Sequence, residues 1–360
     1  MKILFAGGGT GGHLYPALAI AEEIRKLSPQ TEFLFVGTKN KIEARVVPQR
    51  GFRFETIWIS GFSRRLRFEN LFFPVKVFVS LIQSFLLLRE FKPNIVVGTG
   101  GYVSGPVLFS ASLMKIPTAV HESNSYPGVT TRLLAARASI VFIAFEETLL
   151  WLARKDNARL VGTPTRDELA GATRAEAAAF FGLEEKKRTV FAFGGSLGAV
   201  SINDAIARGL DELLGSGVQL IWQTGATDFS RIQSQVGLRP GLWFGAYIDR
   251  MDLAYAIADV VVSRAGAMTI AEVTRLGKPT IFIPLPHAAE DHQTKNAKSL
   301  VEAGAAVMIQ DGQARSSLHG ELQRLLADDA HRASLSKACK KFGKPDAGRV
   351  IAETILQLSQ

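Results

Sequence analysis

The chain has 360 residues, 47% hydrophobic and 21% charged, a globular balance that excludes a disordered tail. That length favours two domains, each with enough chain for its own core. The single cysteine, Cys339, excludes an intramolecular disulfide and fits a reducing cytosol. The net charge of +9 lies entirely in residues 1–163, which hold 20 Lys/Arg against 11 Asp/Glu, while the remainder holds 22 of each. Charge confined to one half points to a surface that meets something anionic. No nucleic-acid partner is expected.

The first element is an apolar strand, Ile3–Ala6, running into Gly7-Gly8-Gly9-Thr10-Gly11-Gly12-His13 and opening a helix over Tyr15–Leu27. Its apolar run is too short for the core of a signal peptide, so the protein is expected to stay where it is made. Glycines at such a turn let the backbone approach a ligand, and the helix start attracts an anion. Gly7-x-Gly9-x-x-Gly12 satisfies the dinucleotide fingerprint, yet the second strand, Phe33–Val36, ends Val36-Gly37-Thr38 without the carboxylate that would hold a ribose. A nicotinamide or flavin cofactor is therefore disfavoured, and no cofactor is expected. His13 falls in the first turn, where the dipole disfavours imidazolium and leaves a base able to accept a proton. The plainer alternative is a histidine that only hydrogen-bonds its loop. No second ligand stands at metal spacing.

Residues 62–91 carry Arg64, Arg65, Arg67, Lys76 and Arg89 among Phe62, Phe68, Phe72, Phe73, Phe78 and Phe85. Leu71–Leu88 is mostly apolar but interrupted by Pro74, Lys76, Ser80, Gln83 and Ser84, short of the roughly 20 apolar residues of a spanning helix. It reads either as a buried helix or as one lying on an anionic membrane, with Arg64, Arg65, Arg67, Phe72 and Phe73 in contact. Both hold if one face packs inward.

Strands are expected at Ile95–Val97, Thr118–His121 and Ile140–Ile143, with a helix at Thr130–Ala136 between the last two. Gly98-Thr99-Gly100-Gly101-Tyr102-Val103-Ser104-Gly105 places four glycines in eight residues. This suggests a second anion pocket, on Gly100, Gly101, Tyr102 and Ser104. Val161-Gly162-Thr163-Pro164 is the expected crossover. The rhythm then repeats with strands at Val190–Phe193, Gln219–Gln223, Val260–Ser263 and Thr280–Ile283 and helices at Ser201–Leu214 and Thr269–Leu276. A second glycine cluster, Gly194-Gly195-Ser196-Leu197-Gly198-Ala199, follows the first of these strands and lacks the lysine of an NTPase loop.

Strands alternating with helices argue for parallel sheets covered on both faces. Ligands then sit at the carboxyl ends of the strands, and a cleft between two facing domains is the expected site. Two phosphate-binding glycine clusters half a chain apart suit a reaction between two phosphorylated substrates. Thr269-x-x-Glu272 could be a capping box. Glu272 could instead converge with Ser196 and the polar run His287–Asn296, accepting hydrogen bonds from two ribose hydroxyls.

On these motifs, with His121-Glu122-Ser123-Asn124, Arg264-Ala265-Gly266-Ala267-Met268-Thr269 and His292-Gln293-x-x-Asn296-Ala297, the chain resembles the MurG family of bacterial peptidoglycan glycosyltransferases nearly end to end. The resemblance implies an α/β chain of GT-B fold, with two Rossmann-like parallel-sheet domains facing a central cleft. Residues 1–163 would form an acceptor- and membrane-binding domain and 164–341 a UDP-N-acetylglucosamine-binding domain. The last helix, about Ala347–Leu358 within 342–360, would return to the first domain. It implies transfer of N-acetylglucosamine from UDP-N-acetylglucosamine to lipid I, giving lipid II with inversion, at the cytoplasmic face of the inner membrane, with other cell-wall synthesis proteins as partners. Carried over by motif, Thr10, Gly11 and Gly12 line the cleft and Asn124 reaches the sugar. Arg166 and Ser196 serve the nucleotide, and the Ile248 backbone pairs with uracil. Ala267, Met268, Thr269, Ile270 and Ala271 surround the diphosphate and sugar, Glu272 takes the ribose, and Gln293 with Asn296 reads sugar hydroxyls. Thr163 and the loop Pro286–Asp291 depart from the family pattern. The rivals are a non-enzymatic sugar-nucleotide-binding module and a GT-B transferase acting on diacylglycerol.

Overall fold

The computed structural model describes residues 1–61, 72–165, 167–195 and 197–359. The chain divides into two compact units, Met1–Thr165 with Lys344–Gln360 and Arg166–Gly343.

Unit 1 is built on a seven-stranded sheet ordered β3-β2-β1-β4-β5-β6-β7, from β1 (Lys2–Gly7), β2 (Glu32–Gly37), β3 (Arg53–Thr56), β4 (Ile95–Gly100), β5 (Thr118–Glu122), β6 (Ile140–Ile143) and β7 (Ala158–Leu160). Every pairing is parallel. The central strands are apolar at both parities because each face is covered. Ile3, Phe5, Phe35, Ile95, Val97 and Phe142 pack under the helices Gly11–Leu27 and Ala347–Leu358. Leu4, Ala6, Leu34, Val36, Val96 and Val141 meet the helices Phe73–Phe91 and Ser104–Leu113 on the other side. The C-terminal helix contributes Ile351, Ala352 and Ile355, all fully buried, to the first of these layers. Removing one such aliphatic side chain typically costs about 2–5 kcal/mol.

Unit 2 repeats the plan with six parallel strands ordered β10-β9-β8-β11-β12-β13. These are β8 (Thr189–Phe193), β9 (Gln219–Gln223), β10 (Leu242–Gly245), β11 (Val260–Ser263), β12 (Thr280–Phe282) and β13 (Val307–Met308). Val190, Ala192, Leu220, Trp222, Val260 and Val262 pack against the helices Val200–Gly215 and Ala314–Ala327.

In each sheet the order reverses beside the first strand in sequence: β1 lies between β2 and β4, and β8 between β9 and β11. Ligands of open α/β sheets bind at such switch points, outside the carboxyl ends of the strands. Both glycine clusters emerge there. Several elements differ from the sequence reading. β4 runs on to Gly100, the helix expected from Thr269 begins at Ala267, and the one expected at Thr130–Ala136 spans Val129–Leu134.

Candidate active site

At the switch point of unit 1, the helix Gly11–Leu27 is entered through Thr10, its N-cap residue in extended backbone. His13 sits in the first turn. Its Nδ1 lies 3.2 Å from the Gly8 carbonyl and 3.3 Å from Thr10 Oγ1. A carbonyl only accepts, so the proton belongs on Nδ1, which leaves Nε2 as the basic nitrogen. The third glycine cluster makes room for this ring. A Cβ on Gly100 would stand 2.7 Å from His13 Cδ2, and one on Gly101 would stand 2.5 Å from the Gly8 carbonyl oxygen. Both glycines also hold positive φ, 101° and 82°, conformations that side chains disfavour.

Two expectations change here. The Gly9 N–H donates to Glu43 Oε2 at 2.9 Å, so this loop is not an open phosphate cradle. Ser104 is buried. Its hydroxyl lies 2.7 Å from the Ala6 carbonyl and 2.8 Å from that of Gly100, and it accepts from the Gly100 N–H at 3.2 Å. It clamps the ends of β1 and β4 together rather than facing an anion. Tyr102, by contrast, is exposed.

Asn124 is half-buried, and its N–H and Nδ2 both donate to Glu122 Oε1 at 3.1 Å. Glu122 Oε2 takes the Gly128 N–H and the Thr131 hydroxyl, so this carboxylate organises the loop that presents Asn124. His121, behind it, is buried with Nε2 on the Gly162 carbonyl at 3.0 Å. Burial holds its imidazole below the ordinary range, outweighing that hydrogen bond and the nearby Glu122. His121 is thus a neutral structural group.

At the switch point of unit 2 the glycines meet backbone to backbone. A Cβ on Gly198 would stand 2.1 Å from the Thr224 carbonyl oxygen, and one on Gly225 would stand 2.2 Å from the Gly198 nitrogen. Gln223, at the end of β9, ties this loop down: Nε2 donates to the Gly195 carbonyl and Oε1 accepts the Ile248 N–H, both at 2.9 Å. Ile248 therefore has its N–H engaged, and a uracil would meet its carbonyl. Ser196 and Arg166 lie outside the described residues, as do Arg64, Arg65 and Arg67.

The helix Ala267–Leu276 follows β11 with Gly266 as its N-cap. Thr269 is thus inside the helix and forms no capping box with Glu272. The N–H groups of a first helical turn lack intrahelical partners, which suits Ala267, Met268 and Thr269 to a diphosphate. Ala271 is half-buried, whereas Ile270 points into the core, 4% exposed. Glu272 is only 7% exposed and accepts from the wholly buried Tyr255 hydroxyl at 2.9 Å. Arg264, ahead of this turn, is structural: its guanidinium donates to the Ile283 and Pro284 carbonyls, to Asp311 and to Ser201. Asn296 has no accessible surface, and its Nδ2 lies 3.5 Å from the Ala265 carbonyl. It supports the turn and cannot touch a sugar unless the turn moves. Gln293 Oε1 accepts the Leu285 N–H at 2.9 Å. In the loop between them, His287, Glu290 and Asp291 all hold positive φ, a concentration of backbone strain of the kind that gathers at ligand sites.

The helix Phe73–Phe91 packs one side inward and leaves the other exposed. Its buried side is small and polar in part, with Ser80, Ser84, Leu88 and Phe91 inward. Val75, Phe78, Ile82, Phe85 and Leu86 face out, Phe78 at 64% exposure. Phe72 is exposed and Phe73 half-buried. Among the described residues no helix is long and apolar enough to cross a membrane.

Sequence reading missed Glu43, Glu122, Gln223 and Tyr255. A carboxylate does stand six residues beyond Gly37, Glu43 in the helix Ile42–Gln49, but it is buried under the turn and engaged by Gly9 and Thr38 rather than offered to a ribose. Gln223 could have been suspected as the polar end of an otherwise apolar strand.

Two parallel Rossmann-like sheets, each opening a glycine-rich turn at its switch point, are the arrangement of the GT-B fold. The chain belongs to glycosyltransferase family 28: residues 3–143 match its N-terminal domain and residues 189–351 its C-terminal domain. A Flavobacterium psychrophilum protein named UDP-N-acetylglucosamine–N-acetylmuramyl-(pentapeptide) pyrophosphoryl-undecaprenol N-acetylglucosamine transferase is 42% identical, over 99% of this chain and 97% of its own. The protein of the same name from Chlorobaculum tepidum is 43% identical over the full length of both. The crystal structure of Acinetobacter baumannii MurG superposes with a TM-score of 0.79 at 25% identity, covering 99% of each chain. The calicheamicin glycosyltransferase CalG4, at 14% identity and a TM-score of 0.73, shares the fold.

Proposed function

We infer that this enzyme transfers N-acetylglucosamine from UDP-N-acetylglucosamine to the 4-hydroxyl of the N-acetylmuramyl sugar of lipid I, the undecaprenyl-pyrophosphoryl muramyl-pentapeptide. The product is lipid II for peptidoglycan synthesis. The observation that carries this is the end-to-end identity with relatives of that named activity. The residues at both switch points suit the chemistry. His13 Nε2 takes the proton of the acceptor hydroxyl as that oxygen attacks the anomeric carbon in line. The C–O bond to the diphosphate breaks on the opposite side, so the configuration inverts to β. The departing UDP gains charge, which the N–H groups at Ala267–Thr269 and the start of that helix offset. Glu272, oriented by Tyr255, accepts from the ribose hydroxyls. Asn124 faces the sugar. Gly100, Gly101 and Tyr102, with the helix start at Gly11–Gly12, neighbour the acceptor pyrophosphate.

Membrane association follows from the lipid-linked acceptor, and the exposed apolar face of residues 73–91 is the docking surface we assign. It joins the basic half of the chain, and each cation near an anionic surface contributes about 1 kcal/mol. A cytosolic nucleotide-sugar donor places this surface on the cytoplasmic leaflet.

The test is incubation with labelled UDP-N-acetylglucosamine and a lipid I analogue. The expected result is one disaccharide lipid formed per UDP released. UDP release without transfer, or label carried to diacylglycerol instead, would overturn the reading. For the surface, Phe78→Ser with Phe85→Ser should weaken sedimentation with anionic vesicles at least about 10-fold, because a buried aromatic contributes about 1.5–3 kcal/mol. Binding equal to the parent would assign docking elsewhere.

A further inference from the structure

Glu43 is a carboxylate with no accessible surface, and nothing in the transfer reaction as described uses it. Its Oε1 accepts the Thr38 N–H at 3.1 Å and the Thr38 hydroxyl at 2.7 Å, while Oε2 accepts the Gly9 N–H at 2.9 Å. No lysine or arginine pairs with it among the described ion pairs. A buried carboxylate is costly, and three donors to one carboxylate offset that cost only in part. The loop is shaped around it: a Cβ on Gly8 would stand 2.5 Å from Glu43 Cδ, and one on Gly37 would stand 2.5 Å from Glu43 Cγ.

The atoms at the far side of this contact belong to the base. The Gly9 N–H and the Gly8 carbonyl are the two ends of one peptide group. Glu43 holds the N–H end at 2.9 Å, and His13 Nδ1 meets the carbonyl end at 3.2 Å. The plane of a peptide is fixed, so anchoring its nitrogen aims its oxygen. A negative charge at the N–H end also polarises the group and makes the carbonyl a stronger acceptor.

We propose that Glu43 is a positioning residue for the transfer, acting on His13 through the Gly8–Gly9 peptide. It keeps the imidazole proton on Nδ1 and so keeps Nε2 available as the base. When Nε2 takes the acceptor proton, the imidazolium retains its Nδ1–H bond to Gly8. The carboxylate stabilises that cation at one peptide's remove without receiving a proton itself. The arrangement does for His13 what a directly bonded carboxylate does in a catalytic triad, with a backbone amide interposed.

The proposal rests on His13 as the base, and the experiment separates the two. Glu43→Gln is made in the full-length parent and in His13→Ala, and kcat, KM and UDP-N-acetylglucosamine affinity are measured. The histidine ring tautomers of the parent and the single variant are read by long-range proton–nitrogen NMR, with His13→Ala assigning the signal. We expect Glu43→Gln to lower kcat about 10-fold or more, in line with losses seen when a ligating histidine's second partner is removed. Donor affinity should stay within about twofold, and His13 should move toward the Nε2–H tautomer. In His13→Ala the same substitution should change kcat less than twofold. An equal loss in both backgrounds, or an unchanged tautomer, would overturn the relay. Near-parent turnover in His13→Ala alone would overturn the base assignment, while the tautomer would still decide the Glu43 contact. Should Glu43→Gln not fold, Glu43→Asp shortens the side chain and draws the carboxylate away from the Gly9 N–H, and it should move the tautomer the same way. An unchanged ring in that variant counts against the relay equally.

Discussion

The two glycine-rich turns occupy the same place in two sheets of the same topology, yet different chemistry holds them down. Under the first lies the buried carboxylate of Glu43 on the Gly9 N–H. Under the second lies the neutral amide of Gln223, with Nε2 on the Gly195 carbonyl and Oε1 on the Ile248 N–H. We read the difference through what each turn is proposed to face. A turn that receives a nucleoside diphosphate keeps its potential positive, and a buried anion beneath it would oppose binding. A turn that steadies a histidine gains from an anion, because charge one peptide away supports the imidazolium that forms. A shared fold thus fixes where ligands bind, while the residue under the turn fixes which charge the turn tolerates.

The comparison breaks first at His13. Replacing it with alanine should lower turnover about 10²–10⁴-fold, the range of general acid–base catalysis, as measured by steady-state transfer at saturating substrates. Near-parent turnover would leave the first turn no chemical task. Next comes the reciprocal swap in unit 2. Gln223→Glu sets a carboxylate against the Gly195 carbonyl at the switch point of unit 2, and should weaken donor binding about 10–100-fold by calorimetry. Gln223→Leu leaves one buried acceptor and one buried donor unsatisfied at about 1–3 kcal/mol each. It should lower the melting temperature and weaken the donor less than the charged swap does. If the neutral change is the worse of the two, charge under the second turn is not what matters.

The smallest effect is on stability against pH. His121 is held neutral by burial, its folded value below the ordinary 6.5. Below about 6.5 the unfolded chain takes up a proton that the folded chain refuses, so stability is complete above that pH and declines as the pH falls beneath it. Urea midpoints should drop between pH 7.5 and 5.5, and His121→Asn should flatten the slope. An unchanged slope would place the acid sensitivity on other groups.

Much of this was legible in the sequence, for a physical reason. The inner strands are buried on both faces, so Ile3–Ala6, Val190–Phe193 and their neighbours read as continuous apolar runs. The edge strands β3, β7, β10 and β13 did not announce themselves. All four are short, and Arg53, Glu55 and Arg159 give β3 and β7 the composition of a loop. The glycines gave the turns, but what a side chain does beneath a turn depends on partners far away in sequence. Glu43 and Gly9 are 34 residues apart, and a glutamate in the first turn of a short helix reads as a solvated charge. Ser104 misled in the opposite sense, since a serine among glycines suggests an anion donor until its hydroxyl is seen on Ala6 and Gly100. In the helix Phe73–Phe91, composition gave the apolar residues, while only packing decided that Ser80 and Ser84 turn inward and Phe78 and Phe85 outward.

The proposed division of labour assigns donor recognition to unit 2, through Glu272 and the helix it sits on, and proton transfer to His13 at the first turn of unit 1. Calorimetric titration of UDP-N-acetylglucosamine into His13→Ala and Glu272→Ala tests it directly. Hydrogen bonds to a charged group contribute about 1.5–3 kcal/mol. The account therefore predicts parent-like affinity for His13→Ala and affinity weakened about 10–100-fold for Glu272→Ala. Donor affinity lost in His13→Ala, or retained in Glu272→Ala, would contradict it.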